Sequence, residues 1–168
     1  TPLGLVPVVT PDPATRAELP QLVERRDVHA QEHALEVHLP FLQSALGDVE
    51  VVPLAVGRAD ADSVAEVIDA LWGGPETVVV VSSDLSHYLP YAEARRVDEA
   101  TVTQLLALDG PLTHEQACGA TPINGLLVAA RRRALQPVLL GMCNSGDTAG
   151  DKTRVVGYAA VALAEPAA

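Results

Sequence analysis

Aromatic residues are scarce: one Phe, one Trp and three Tyr make up 3% of the chain. Stacking platforms for bases or sugars are therefore few. Only two cysteines occur, Cys118 and Cys143, with no C-x-x-C pair. That usage fits a reducing cytoplasm better than a disulfide framework, with a single bridge left open. Lys152 is the only lysine. No apolar run reaches the ~18 residues a membrane span needs, and no signal-peptide pattern is present. The phosphate-cradle patterns G-x-x-x-x-G-K-[ST] and G-x-G-x-x-G are missing, and so is a G-x-S-x-G elbow. These absences argue against phosphate-loop, dinucleotide-fold and lipase-like chemistry.

What remains is an ordinary globular composition. The 168 residues are 48% apolar and 20% charged, which suits one folded domain over 1–168. Acidic residues number 22 against 11 basic, a net charge of −11. Such a surface repels phosphate backbones and anionic membranes, so neither nucleic acid nor a membrane is expected as a partner. The pairs Arg25-Arg26 and Arg95-Arg96 and the triplet Arg131-Arg132-Arg133 read as solvated helix faces.

Periodicity places the elements. Leu5 to Val9 and Val49 to Val56 read as short strands, confined to edges or bulges by Pro7 and Pro53. Ala14 to Arg25 is helical with a break near Pro20. Glu32 to Leu46 carries Leu35, Leu39, Leu42 and Leu46 at helical spacing, interrupted by Pro40. Asp62 to Trp72 is a helix capped by Asp62 or Ser63. Thr77 to Val81, with Val at four successive positions, reads as a central strand covered on both faces. Ala92 to Leu108 is an amphipathic helix with Val97, Ala100, Thr101, Leu105 and Leu108 inward. A helix over Pro122 to Leu135 and strands over Val138 to Met142 and Arg154 to Leu163 complete an α/β fold, a layered sheet flanked by helices.

Chemistry-bearing residues gather in a few places. Ser82-Ser83-Asp84-Leu85-Ser86-His87-Tyr88 follows the apolar strand, and ligands in α/β sheets bind beyond strand carboxyl ends. Asp84 and His87 therefore stand as site candidates, the histidine to move protons or hold a metal and the carboxylate to orient it. His29-Ala30-Gln31-Glu32-His33 matches H-x-x-E-H, which on a helix would hold zinc. Three fixed positions make that a weak signal, and a polar helix start is the plainer reading. His38 falls on an apolar stripe and reads as a core histidine with a satisfied hydrogen bond. His114 sits in a helix-starting turn and needs no function. Cys118 lies at a loop-to-helix boundary, where a thiol becomes a metal ligand or a buried small hydrophobe. The loop from Asn144 to Asp151 holds two carboxylates but lacks the calcium-loop spacing.

Four stretches, in order, carry a resemblance. They are Glu32-His33-Ala34-Leu35-Glu36-Val37-His38-Leu39-Pro40-Phe41-Leu42, the Ser82 to Tyr88 segment, Ala117-Cys118-Gly119, and Asn144-Ser145-Gly146-Asp147-Thr148 through Gly157-Tyr158-Ala159. Together they resemble the Memo family, also called AmmeMemoRadiSam system protein B. That family is similar to the class III extradiol ring-cleavage dioxygenases, which use non-haem iron. The resemblance implies a metal-containing pocket that includes Asp84, His87 and Cys118, with Cys118 a ligand and His87 an acid/base histidine. It implies that His33 and Glu36 lie near the pocket or shape its helix. It also implies a divalent metal, iron first and copper or zinc as alternatives, acting with a small organic substrate. AMMECR-type and radical SAM proteins are candidate partners by the same resemblance.

The departure is the absence of the family's P-H-A-G-Y and G-P-S-H motifs, whose histidines supply the rest of the metal site. The expectation is a chain that matches the family's C-terminal portion and holds an incomplete site. An exposed edge or apolar face, and association into homo-oligomers, follow from that expectation. Three readings result: a metal-dependent oxidoreductase of dioxygenase type, a non-catalytic adaptor that binds (phospho)peptides or partner proteins, and a degenerate remnant.

Overall fold

The computed structural model describes residues 1–165. Regular structure is sparse before residue 60. Helix α1 (Pro13–Glu18) starts where the Asp12 side chain accepts the Ala14 and Thr15 N–H groups. It stops short of Pro20 and does not run to Arg25, because Pro20 has no N–H to continue it. Helix α2 (Arg26–His29) is one turn. Residues 34–38 form turns, and α3 (Leu39–Leu46) begins there. Pro40 thus opens a helix instead of kinking a longer one: in the first turn its missing N–H costs nothing. Since α2 ends at His29, His29 and His33 share no helix face, and the H-x-x-E-H pattern builds no zinc helix.

The two expected early strands reduce to one parallel bridge, Val8 to Val51. There the Val9 N–H donates to Val51 O and the Val51 N–H to Pro7 O, at 2.9 and 3.0 Å. Helix α4 (Ala61–Ala70) is capped by Asp60, whose carboxylate accepts the Ser63 N–H at 2.8 Å. The elements that follow are β1 (His87–Leu89), α5 (Tyr91–Leu106), α6 (Ala120–Arg132), β2 (Gln136–Asn144), α7 (Ser145–Thr148) and β3 (Val155–Ala164). The fold is α/β, as expected. The three strands form an antiparallel sheet in the order β1-β3-β2, with α5 packed on it.

Two apolar clusters anchor the helices. Val64, Ala65 and Ile68 of α4 meet Ala129 of α6. Leu112, Ala117, Ala120, Ile123 and Leu127 form the other, with Val81 packed against it. Arg131 and Arg132 are exposed, as a solvated face requires, and the triplet also carries ion pairs. Arg132 pairs with Asp62 at 2.6 Å and Asp69 at 3.2 Å, and Arg133 pairs with Asp69 at 2.9 Å while stacking on Trp72. These contacts tie α6 to α4. Each pair alone contributes only about 0.2–1 kcal/mol, so the shared Asp69 matters more than the count.

Thr77 to Val81 also departs from expectation. Among the described residues it joins no ladder. Val79 and Val81 turn inward, whereas Val78 and Val80 are 64% and 45% exposed. One face is covered, not two, because only the α6 side supplies a packing layer. The β2–β3 pair likewise leaves Val138, Leu140 and Tyr158 exposed. Among the described residues no helix is long and apolar enough to cross a membrane.

Candidate metal centre

The site forms where the extended segment after Val81 meets the loop before α6. The Cys118 N–H donates to Asp84 O, and the Asp84 N–H donates back to Cys118 Sγ, each at 3.2 Å. Ser83 locks this junction. Its hydroxyl donates to Asp84 O at 2.6 Å and accepts the Gly119 N–H at 2.8 Å. Gly119 has to lack a side chain, since a Cβ there would sit 2.7 Å from Ser82 O and 2.8 Å from Ser83 Cβ. The Cys-Gly pair is therefore a thiol followed by the residue that lets the thiol come close.

The other side of the segment docks on β3. The Leu85 N–H donates to Gly157 O and the Gly157 N–H to Ser86 O, both at 2.9 Å. Tyr88 takes a left-handed backbone, φ 61°, within the register shift between His87 and Leu89. That conformation is costly for an aromatic residue and turns the chain sharply after His87. Arg154 stacks over the Tyr88 ring at 4.8 Å.

Three donors converge as a result. His87 Nε2 lies 3.4 Å from Asp84 Oδ2. The ligand atoms of Asp84, His87 and Cys118 all fall within 4.8 Å of one another. The His87 and Asp84 side chains are 37% and 48% exposed, so solvent or a ligand reaches them. Tyr158 stands close enough for Asp84 to act on it. Burial, and then the charges of Asp84 and Cys143, hold its phenol above the usual tyrosine range.

These residues fit a divalent transition metal. Ligands roughly 2.0–2.3 Å from one ion stand about 3–4 Å apart, a spacing the His87–Asp84 pair already has. The Cys118 sulfur lies within 4.8 Å of both other ligand atoms. A thiol, an imidazole and a carboxylate suit iron, copper or zinc and not magnesium or calcium.

The other sequence candidates are not members of this donor cluster. His33 and Glu36 are exposed in the turns before α3 and outside the donor cluster. From that motif it is His38 that reaches the site segment, its Nε2 2.9 Å from Ser82 Oγ. His114 braces the cysteine loop, with Nδ1 3.2 Å from Cys118 O and Nε2 3.3 Å from Thr121 Oγ1. The spacing of four residues from His114 to Cys118 was the available signal for that brace. Cys118 and Cys143 are both free and exposed. The acidic loop spends its carboxylates on its own chain. Asp147 accepts the Tyr91 hydroxyl at 2.6 Å and closes a capping box with Asn144, and Asp151 accepts from Thr153.

Comparison with known proteins follows the same lines. The family model described as Memo-like protein matches residues 1–162. A MEMO1 family protein of Methanosarcina acetivorans is 35% identical over 147 residues, covering 79% of this chain and 55% of the relative. One from Sulfolobus acidocaldarius is 34% identical over 178 aligned positions, covering 96% of this chain and 62% of the relative. One from Archaeoglobus fulgidus is 33% identical, covering 96% and 66%. The chain thus spans between 55% and 66% of the length of these relatives. With the family match running through every segment that builds the site, the chain belongs to the Memo family.

Proposed function

We propose that this chain forms the metal-holding part of a non-haem oxidoreductase of dioxygenase type acting on a small organic substrate. Asp84, His87 and Cys118 would hold the ion, iron first, with copper or zinc as alternatives. One observation carries the reading: three donors of three chemical classes, drawn from two distant segments, converge within 4.8 Å. Such an ion, when bound, supplies Lewis-acid activation and a path for electrons. The chain's own part is to place the donors and to manage a proton. An imidazole that ligates through one nitrogen keeps the other free for a hydrogen bond or a proton. Asp84 orients the His87 ring from 3.4 Å away. The Asp84 N–H points at the Cys118 sulfur from 3.2 Å and fixes its place. The partial exposure of the cluster leaves coordination positions open to water or substrate.

Cobalt(II) titration followed by the thiolate-to-cobalt absorption band tests this. The wild-type chain should show a saturable band, Cys118→Ser should lose it, and His87→Ala should weaken binding at least tenfold. Absence of saturable binding, or binding unchanged in both variants, refutes the reading. The adaptor reading draws on a different observation, the exposed apolar residues Val138 and Leu140 of β2 and Tyr158 of β3. Saturable peptide binding that survives metal removal would favour it over the enzyme.

A further inference from the structure

Asp98 lies in the middle of α5 with only 1% of its surface exposed. Interior carboxylates are ordinarily paired with a cation. Among the described residues Asp98 has no Arg, Lys or His in ion-pair range; the pairs that form leave it out. It makes one side-chain hydrogen bond, accepting the backbone N–H of Ser86 at 2.9 Å. Ser86 stands between Asp84 and His87, is itself 1% exposed, and has a buried hydroxyl with no partner. Space is kept for this carboxylate on the far side too. A Cβ on Gly157 would collide with it, and Gly157 is the residue that exchanges backbone hydrogen bonds with Leu85 and Ser86.

A carboxyl group is thus buried, without a cation partner, and aimed at the Leu85–Ser86 peptide, the middle one of the three that join Asp84 to His87. We propose that Asp98 is a positioning residue for that pair: by holding the Ser86 N–H it fixes the orientation of the side chains on either side. Rotation of the Ser86 peptide would swing Asp84 and His87 apart, since Leu85 and Ser86 are buried and have no freedom to compensate. The proposal does not need the metal reading, because the 3.4 Å approach of His87 to Asp84 exists in the chain itself.

The test uses the whole chain as wild type, Asp98→Asn and Asp98→Ala. Ring-nitrogen NMR shifts of His87 report its contact with Asp84, with His38 and His114 as internal references. Asparagine keeps an acceptor for the Ser86 N–H, so Asp98→Asn should retain the wild-type His87 signal. Asp98→Ala should move that signal toward free imidazole while His38 and His114 stay in place. Cobalt(II) affinity should fall at least tenfold in Asp98→Ala and return in Asp98→Asn. An unmoved His87 signal in Asp98→Ala overturns the proposal, as does a common shift of all the histidines or an Asp98→Asn that behaves like Asp98→Ala. Amide exchange of Ser86 in the wild type needs no variant. It should rank among the slowest in the chain, and exchange at the rate of exposed loops overturns the proposal even where Asp98→Ala does not fold. Failure of the wild type to bind cobalt defeats the metal reading alone.

Discussion

Replacing Gly119 with alanine should disable the site with one methyl group. The new Cβ would lie 2.7 Å from Ser82 O and 2.8 Å from Ser83 Cβ, short of ordinary contact by about 0.7 Å. Neither neighbour is a flexible tip. One is a backbone carbonyl and the other a Cβ, so the α6 entry must back away from the strand. Three hydrogen bonds span that gap: Gly119 N–H to Ser83 Oγ, Cys118 N–H to Asp84 O, and Asp84 N–H to Cys118 Sγ. Overpacking of this kind costs about 1–3 kcal/mol. Helix propensity gives nothing back, because Gly119 is the N-cap of α6 and alanine caps worse than glycine. For a chain of this size the melting temperature should fall by roughly 2–12 °C. The larger effect should be on metal affinity, since moving the support of a ligand costs about 10–100-fold. Calorimetry and cobalt(II) titration, with Gly57→Ala as a control that meets no atom within 4 Å, form the assay. A Gly119→Ala protein with wild-type melting and wild-type affinity refutes the reasoning.

Two pH effects follow from the same geometry. The Tyr91 hydroxyl first, and then the Asn144 N–H, hold the Asp147 carboxyl below the usual range. A depressed folded pKa gives stability that is present above the unfolded value, about 3.9, and is lost as pH falls through the folded one. Acid unfolding curves should therefore steepen below about pH 4 in the wild type and flatten in Asp147→Asn; identical acid limbs would defeat the assignment. Tyr158 runs the other way. Its raised pKa gives stability that is full below the unfolded value near 10 and lost as pH rises through the folded one. Ultraviolet titration against Tyr158→Phe should show a late-titrating phenol, and Asp84→Asn should bring its midpoint down. A midpoint that ignores Asp84 would place the two groups too far apart to interact.

The strongly periodic segments were legible in the sequence. The helices that became α4, α5 and α6, and the strands that became β2 and β3, were all expected within a few residues. Thr77 to Val81 was misread because four valines announce apolar surroundings without saying how many sides supply them. Leu5 to Val9 and Val49 to Val56 have strand composition, but a strand needs a partner, and one bridge is what they find. On α5 the sequence put Ala100 inward and said nothing of Asp98, whereas the structure exposes Ala100 and buries Asp98. Hydrophobic spacing treats aspartate as an outward residue and cannot see a buried N–H waiting for an acceptor. The donors were legible for a positional reason: Asp84 and His87 follow the apolar run that ends at Val81, and Cys118 precedes a helix. What closes the cluster was not, because Ser83 and Gly119 act through contacts to the backbone that leave no periodic mark.

The uncovered Val138, Leu139 and Leu140 of the sheet, set beside a net charge of −11, put two forces between neighbouring copies in opposition. Dewetting draws the bare surfaces together at short range, while the shared negative charge keeps whole molecules apart at longer range. Dissolved salt acts on only one of them. With a screening length of about 8 Å at physiological ionic strength and about 3 Å at 1 M, added salt strips the repulsion and leaves the attraction intact. Colloidal behaviour should thus invert the common pattern for acidic proteins held together by ion pairs: dilute buffer disperses this chain, and concentrated salt gathers it.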